Sequence, residues 1–171
     1  MPNSTIQVRP IAASHYAAVV EIYNYYIGNS HCTFDLTPFT IGQRVPWFAQ
    51  FTEDGPYQCL VAVRGDVVLG YACSTPFKAK PGYVTSVDVS VYIDHACTAT
   101  GVGSRLYQAL FARLAEQPIH RVFAGIALPN DASTALHQKF GFNQVAHFTE
   151  AGFKFEQYWD VIWLERPNTV A

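Results

Sequence analysis

Two glycines in the middle of the chain could hold a phosphate group. Residues 87–93 are apolar at every second position, whereas from Val102 onward the apolar residues recur at helical spacing. This change of period predicts a strand, a glycine turn and a helix whose first N–H groups lack internal partners. Because the helix dipole makes those amides electropositive, they can bind a pyrophosphate. The residues of this candidate cradle are Thr100, Gly101, Val102, Gly103 and Ser104.

The same glycines are also explained by a tight turn alone, and the two interpretations stay open at this point. The segment lacks the Gly-Lys-Ser/Thr of a P-loop, and Leu106 occupies the position of the third glycine in a dinucleotide-binding fingerprint. The sequence therefore disfavours a nucleoside triphosphatase site and a Rossmann site.

Asp88 is the charged residue of the strand that precedes the glycines. Strand alternation places it on one face with Ser90 and Tyr92, opposite to Val87 and Val89. If helices cover both faces of the sheet, this carboxylate needs an explanation. A structural carboxylate, at an edge or bonded to N–H groups, is the alternative to a reactive one.

Length and composition exclude several classes of protein. The chain has 171 residues, a formal net charge of −2 and no Lys/Arg run, so we expect one domain over residues 1–171 and no nucleic-acid interface. No apolar stretch approaches the ~18 residues of a membrane helix, and the first residues contain no hydrophobic signal region. The spacings of the four cysteines and six histidines fit neither disulfides nor metal sites. We predict a cytoplasmic protein that binds no membrane and no metal.

The hydrophobic pattern predicts seven strands and four helices. The strands cover residues 6–10, 58–63, 67–74, 87–93, 121–128, 143–148 and 155–164. The helices cover about 14–27, 41–51, 102–114 and 132–140, with Ser14 as an N-cap, Gly28 as a stop and Gly141 as a left-handed C-cap. We predict a single α/β (α+β) domain in which helices cover the faces of a mixed, mainly antiparallel sheet.

The order of these elements and their motifs resembles the Gcn5-related N-acetyltransferases (GNAT). Within that superfamily the chain is most similar to the phosphinothricin N-acetyltransferase group, which includes methionine sulfoximine acetyltransferases. The runs that carry the resemblance are IYNYYI (22–27), TFD (33–35), GYA (70–72), PFKAK (76–80), VDVSVYI (87–93), GVGSRLY (101–107), IALPNDAS (126–133), LHQKFGF (136–142) and GFKFEQYWDV (152–161). They cover the chain from about residue 6 to residue 166.

The resemblance implies a GNAT-like sheet of about seven strands whose central parallel strands splay apart. It also implies acetyl-CoA as the cosubstrate and a primary amine as the acceptor. The pantetheine arm would pair with the backbone at Val89 and Val91, and the pyrophosphate would lie on residues 100–104. Asn130 and Ser133 resemble the residues that hydrogen-bond the CoA arm. The chain departs from the family at Thr98 and Ala99, where Gln, Arg or Gly is usual, so a contact to the phosphates is expected to be missing.

The resemblance also assigns catalytic roles. An amine with a pKa of about 8 needs a base near neutral pH, and Asp88 is the candidate, where relatives often have Glu. His137 occupies the position at which many superfamily members have the Tyr that protonates the leaving thiolate, and a structural role for it stays open. Tyr92 and Tyr107 are further proton donors, and the Val89 N–H is the expected oxyanion donor.

For the acceptor, the resemblance points to the loop before the central strand. Lys78 and Lys80 lie among aromatic residues there and suit the carboxylate or phosphinate of a small amino-acid-like substrate. Lys lacks the planar fork of the Arg that many relatives have in place of Lys80, and surface lysines are the alternative. The expected substrate-binding residues are Phe34, Phe77, Lys78, Lys80 and Tyr83.

Other functions remain open at the level of sequence. The chain could be an acetyl-CoA-binding sensor that has lost its chemistry, or could acetylate a protein N-terminus or a polyamine. A sensor would not need Asp88, Asn130, Ser133 and His137 together, and a polyamine would favour an acidic pocket rather than Lys78 and Lys80. The resemblance further implies a homodimer, for which the aromatic residues at 153–163 could supply an apolar patch.

Overall fold

The computed structural model describes residues 5–97 and 100–168. Seven strands form one sheet in the order β1-β2-β3-β4-β5-β7-β6, in which β4 and β5 are the parallel pair. The strands are β1 (Gln7–Pro10), β2 (Cys59–Arg64), β3 (Val67–Pro76), β4 (Ser86–Ile93), β5 (Arg121–Ala127), β6 (Asn143–Lys154) and β7 (Gln157–Pro167). The helices are α1 (Tyr16–Asn29), α2 (Ile41–Phe48), α3 (Val102–Leu114) and α4 (Asp131–Lys139). The predicted mixed, mainly antiparallel sheet is confirmed.

Helices cover the two faces of the sheet unequally. On one face, Leu106 and Leu110 of α3 pack with Val87 and Val89 of β4 in the larger core cluster. On the other face, α1 and α2 form a second cluster around Tyr71 of β3. Full burial of a leucine or valine side chain contributes roughly 1.5–3 kcal/mol, so these clusters fix the face on which each β4 side chain lies. Asp88, Ser90 and Tyr92 therefore face α1 and α2.

The start of α1 differs from the prediction. Ser14 is not an N-cap, because a 3₁₀ turn at Ala13–His15 leads into the helix. The Nδ1 atom of the buried His15 accepts a hydrogen bond of 2.9 Å from the N–H of Ala12, the residue before this turn, and no side chain caps the first amides of α1. Gly28 does not stop the helix either, since α1 ends at Asn29. Helix α2 ends at Phe48, three residues earlier than predicted.

The last two strands are longer than predicted and form one hairpin. The pattern of alternation predicted strands at 143–148 and 155–164, but β6 runs on to Lys154 and β7 begins at Gln157. The pairing is irregular at two points, between Gln144 and Ala146 and between Phe148 and Gly152. A bulge shifts the alternation by one residue, and for this reason the sequence pattern did not show that β6 continues. Gly141 has a φ of 80°, which confirms the predicted left-handed position after α4.

Two further features of the described residues concern membranes and metal ions. None of its helices is both long and apolar enough to cross a membrane. Its His, Cys, Asp and Glu side chains form no group that could hold a metal ion.

Candidate active site

A cavity opens through the sheet where β4 and β5 separate. Their parallel pairing stops at Asp88 and Phe123, while each strand continues alongside its other neighbour. The cavity has a volume of about 230 Å³ and is lined by residues from both faces of the sheet. Val89 and Val91 of β4 line the cavity. The backbone of these residues pairs with β3 on one side, but no described strand pairs with it on the side that faces β5. An extended ligand with amide groups could pair with this edge as a strand would.

The cradle predicted from the sequence lies at the start of α3. Gly101 precedes the helix with a φ of 77°, a left-handed conformation that disfavours residues with a side chain. The N–H groups of Val102, Gly103 and Ser104 belong to the first turn, where they have no intrahelical acceptor, and no acidic residue lies there. A Cβ atom on Gly103 would lie 3.1 Å from Cδ2 of Leu136, so this glycine also permits close packing of α3 on α4.

Lys139 brings a positive charge to this cradle, and the sequence reasoning missed it. Its Nζ donates a hydrogen bond of 2.9 Å to Oγ of Ser104, beside the exposed amides of the first turn. The ammonium group adds to the positive potential of the helix end. The sequence gave no sign of this contact, because Lys139 lies eight residues after the start of α4 and only the packing of α4 on α3 brings it here. Thr98 and Ala99, where a phosphate contact was expected to be missing, lie outside the described residues.

Asp88 is the last residue of β4 that pairs with β5, and it adjoins Val89 of the cavity wall without lining the cavity itself. Its Oδ1 atom is buried and has no hydrogen-bond partner in residues 5–97 and 100–168. Burial raises the pKa of Asp88 to about 7, although the charge of Lys78 and the Val89 N–H act in the opposite direction. A carboxylate with a pKa near neutrality is suited to take a proton from an amine.

His137 lines the cavity from the other face of the sheet, and both of its ring nitrogens are occupied. Nδ1 lies 2.7 Å from the carbonyl oxygen of Ser133, which can only accept, so Nδ1 carries the proton. Nε2 is then the acceptor for the buried hydroxyl of Tyr107 at 2.8 Å. Burial lowers the pKa of His137, which favours this neutral form. To protonate a thiolate directly, the ring would have to give up one of these bonds.

Asn130 and Ser133 lie at the start of α4, on the cavity wall. The Asn130 side chain caps the helix by accepting from the Ser133 N–H at 3.1 Å. Its Nδ2 donates to Sγ of Cys32, which also lines the cavity, at 3.3 Å. The Asn130 side chain is thus a helix cap, and the residue lines the cavity.

Tyr92 lies in a cluster of tyrosine rings that forms the α1 side of the cavity. Its ring lies 5.1 Å from Tyr23 and 5.2 Å from Tyr26, both edge to face, and 5.6 Å from Tyr71. Burial raises the pKa of Tyr92 well above its usual value, so the hydroxyl keeps its proton at neutral pH. The cluster leaves Tyr92 able to donate a proton and unable to act as a base.

Comparison with known proteins decides the family. A profile of the acetyltransferase (GNAT) family matches residues 19–142. The chain belongs to this family. It is 45% identical over 170 residues to a phosphinothricin N-acetyltransferase of Streptomyces coelicolor, covering 98% of this chain and 99% of that protein. It is 31% identical over 160 residues to an L-methionine sulfoximine/L-methionine sulfone acetyltransferase of Pseudomonas paraeruginosa, covering 92% of each chain.

A solved structure shares the same fold. It is a GNAT superfamily phosphinothricin acetyltransferase from Sinorhizobium meliloti in complex with AcCoA, with a TM-score of 0.89 and 26% identity. The match covers 95% of this acetyltransferase and 88% of that chain. The separation of β4 and β5 is thus part of a GNAT fold rather than a local irregularity.

Most of the expected substrate-binding residues of this GNAT protein lie together. Phe77 stacks on Phe123 at 4.1 Å and contacts Tyr83 and Trp163 edge to face at 5.7 and 5.6 Å. The Nζ of Lys78 lies 5.0 Å from the Phe77 ring and 5.6 Å from Trp163, and its charge reaches Asp88. Phe123 and Trp163 were not singled out from the sequence, because nothing in their spacing links them to residue 77.

Two other residues that were expected to bind the substrate, Lys80 and Phe34, lie away from this group. Lys80 is exposed and precedes a 3₁₀ turn at Pro81–Tyr83, and its ammonium has no partner among the described residues. Phe34 packs on Gly152 of β6, where a Cβ atom would lie only 2.0 Å from the ring. Asp88 and His137 do not meet either, since they lie on opposite faces of the sheet.

Proposed function

We propose that this acetyltransferase moves the acetyl group of acetyl-CoA to the primary amine of a small amino-acid-like substrate, with Asp88 as the general base. The relatives named above act on phosphinothricin or on methionine sulfoximine and sulfone, which are small amino-acid analogues. The observation that carries the assignment of the base is the buried, unpartnered Oδ1 of Asp88 at the point where β4 and β5 separate.

The residues of the cavity fit acetyl-CoA as an extended cosubstrate. The unpaired edge at Val89 and Val91 suits the amides of a pantetheine arm, and the first turn of α3 suits a pyrophosphate. Asn130 and Ser133 line the same cavity and can bond the arm from α4. When bound, acetyl-CoA supplies an acetyl group activated as a thioester.

The residues at the end of the β4–β5 pairing have separate tasks in this mechanism. Asp88 takes a proton from the acceptor ammonium, which frees the nitrogen lone pair to attack the thioester, since its pKa of about 7 matches the working range. The Val89 N–H, which favours the ionised Asp88 carboxylate in the free protein, would be shared with the carbonyl oxygen as negative charge develops on that oxygen. Tyr92, whose hydroxyl keeps its proton, is the group that can return a proton to the leaving sulfur, whereas His137 could do so only by giving up one of its two hydrogen bonds.

The acceptor lies on the face of Asp88 in this proposal. The rings of Phe77, Phe123 and Trp163 provide an apolar wall, and Lys78 provides a cation beside it. A zwitterionic amino acid would place its carboxylate or phosphinate towards Lys78 and its amine towards Asp88. Lys80 has no such neighbours, so we assign the anion contact to Lys78 rather than to Lys80.

Replacement of Asp88 by Asn tests the proposal. Asn keeps the shape but cannot take a proton, so the chemical step should fall by about 10²–10⁴-fold, the usual contribution of a positioned base. Affinity for acetyl-CoA, measured by calorimetry, should stay the same. The exposed Asp66→Asn at the β2–β3 turn is the matched control and should keep the wild-type rate.

The outcomes are distinct. Turnover of a good amine acceptor at the wild-type rate by Asp88→Asn would make the assignment of the base wrong. Binding of acetyl-CoA by the wild-type protein without turnover of any amino acid, polyamine or peptide amine would support a sensor instead.

We also propose a homodimer in the cytoplasm. The exposed aromatic residues of the β6–β7 hairpin support the dimer, and the buried thiols of Cys59 and Cys73 suit a reducing compartment.

A further inference from the structure

Lys154, near the end of β6, is a buried cation that the mechanism above does not use. The residue is only 3% exposed. Its Nζ donates to three carbonyl oxygens, of Ser30 and Thr33 at 2.8 Å each and of Tyr26 at 3.4 Å. All three donors of the ammonium are thus used, and each acceptor is a backbone group of one short stretch. Burial lowers the pKa of Lys154, and the charge of Asp35 opposes that effect.

These carbonyls belong to the end of α1 and to residues 30–35, which we call the 30–35 loop. The β6–β7 hairpin contacts this loop at two further points. The Phe34 ring fills the space above Gly152, and the rings of His31 and Trp159 stack at 4.0 Å. Trp159 Nε1 donates in turn to the Lys154 carbonyl at 2.9 Å, which ties the two strands of the hairpin together at this point.

The 30–35 loop also reaches the cavity. Cys32 lines the cavity and accepts the hydrogen bond from Asn130. Asp35 accepts from the hydroxyl of Tyr23 at 2.5 Å, and the Tyr23 ring packs on Tyr92 in the cavity wall. The loop therefore connects the hairpin on one side with the wall of the candidate active site on the other.

We propose that Lys154 is a positioning residue, whose ammonium holds the 30–35 loop in the shape that forms one wall of the acceptor site. The three carbonyls converge on one point, and without a cation their dipoles would repel one another in a place closed to water. The proposal rests on the proposed function only in placing the amine on this side of the sheet. Lys154 acts through the loop and touches neither the acceptor nor acetyl-CoA.

Replacement of Lys154 by Met tests the proposal without any substrate. Met keeps an unbranched side chain of similar length but donates no hydrogen bond. We expect Cys32 to react with a thiol reagent at least about tenfold faster, since each bond from a charged donor shifts a local opening equilibrium by roughly that factor. Cys59 and Cys73 lie in the core and report global unfolding, and Cys97 lies outside the loop. Peptide mapping by mass spectrometry reads the four thiols in one sample.

A second readout uses catalysis. Lys154→Met should raise KM for the amine by about tenfold or more, because the wall formed by the loop loosens. KM for acetyl-CoA should rise less, through the single contact of Cys32 with Asn130. Gln157→Met, which changes the exposed residue paired with Lys154 in the hairpin, should behave as the wild type in both assays. Lys154→Gln, which keeps an amide donor, should give an intermediate labelling rate and carries the test if the Met variant does not fold.

Two results would overturn the proposal. One is a folded variant whose Cys32 reacts at the wild-type rate. The other is an equal increase at all four cysteines, which would show a general loss of stability instead of a loosened loop. Thiol labelling decides the point even if Asp88→Asn disproves the proposed chemistry.

Discussion

At the scale of single residues, Asp88 combines burial with a missing hydrogen bond. Whenever Asp88 is ionised, its burial without a hydrogen-bond partner for Oδ1 lowers the free energy of unfolding. Its pKa is raised from 3.8 to about 7, so the folded state holds a proton that the unfolded state releases between these pH values. The unfolding free energy should therefore fall as pH rises through this window, by a few kcal/mol at most.

Asp88→Asn removes this cost and should make the protein more stable at pH 8 than the wild type, by about 1–4 kcal/mol. At pH 4 the wild-type carboxyl is protonated in the folded state, and the two proteins should differ little. Chemical unfolding at both pH values measures the difference. A variant less stable than the wild type at pH 8 would mean that the carboxylate makes a favourable interaction in the fold.

The position of Asp88 on the polar face of β4 was predictable from strand alternation, and so was the placement of Tyr92 on the same face. The missing partner of Oδ1 was not predictable, because it depends on where the pairing of β4 and β5 stops. The pairing of His137 with Tyr107, thirty residues apart, depends in the same way on how α3 packs on α4.

At the scale of elements, the start of α3 offers a test in which two effects have opposite signs. A negative charge in the first turn of a helix stabilises it by roughly 0.3–1 kcal/mol, but repels a bound phosphate. Ser104→Glu should therefore preserve or slightly raise the melting temperature while lowering the affinity for CoA about tenfold or more.

Gln108→Glu adds the same charge one turn later on an exposed position and should leave CoA affinity near the wild-type value. Calorimetry at low and moderate salt measures both variants. Unchanged affinity in Ser104→Glu would show that the pyrophosphate does not lie on these amides, and that Gly101 and Gly103 serve the turn and the packing alone.

The order and type of the elements were predictable, while several boundaries were not. Strict alternation or helical spacing marks β4 and α3, and both were predicted within a residue of their bounds. The entry to α1 was missed because a 3₁₀ turn precedes the helix and His15, rather than Ser14, fixes that turn by accepting from the Ala12 N–H. The continuation of β6 was missed because its bulges interrupt the alternation on which the prediction rests.

At the scale of the whole molecule, α1 and α2 cover only part of one face of the sheet. The β6–β7 hairpin extends beyond them and carries exposed aromatic rings, with Tyr158 63% and Phe153 55% exposed. Phe155 and Glu156 form its tip with φ values of 54° and 60°, a conformation that a bulky residue rarely adopts. Because Phe is unfavourable for the backbone at this position, we infer that its ring serves to contact another molecule rather than to stabilise the fold.

We expect a second copy of the chain to cover these rings. Light scattering at micromolar concentration should give twice the 19.0 kDa of one chain, and the melting temperature should rise with protein concentration.

Phe153 and Tyr158 are cross-strand partners whose rings lie 4.9 Å apart. Replacing both by Thr keeps the preference for a strand but removes the apolar area, so the variant should be a folded monomer. Val67→Thr, which changes an equally exposed apolar residue of β3, should remain a dimer. A wild-type particle of 19.0 kDa, or a double variant that still pairs, would place the rings outside any dimer interface.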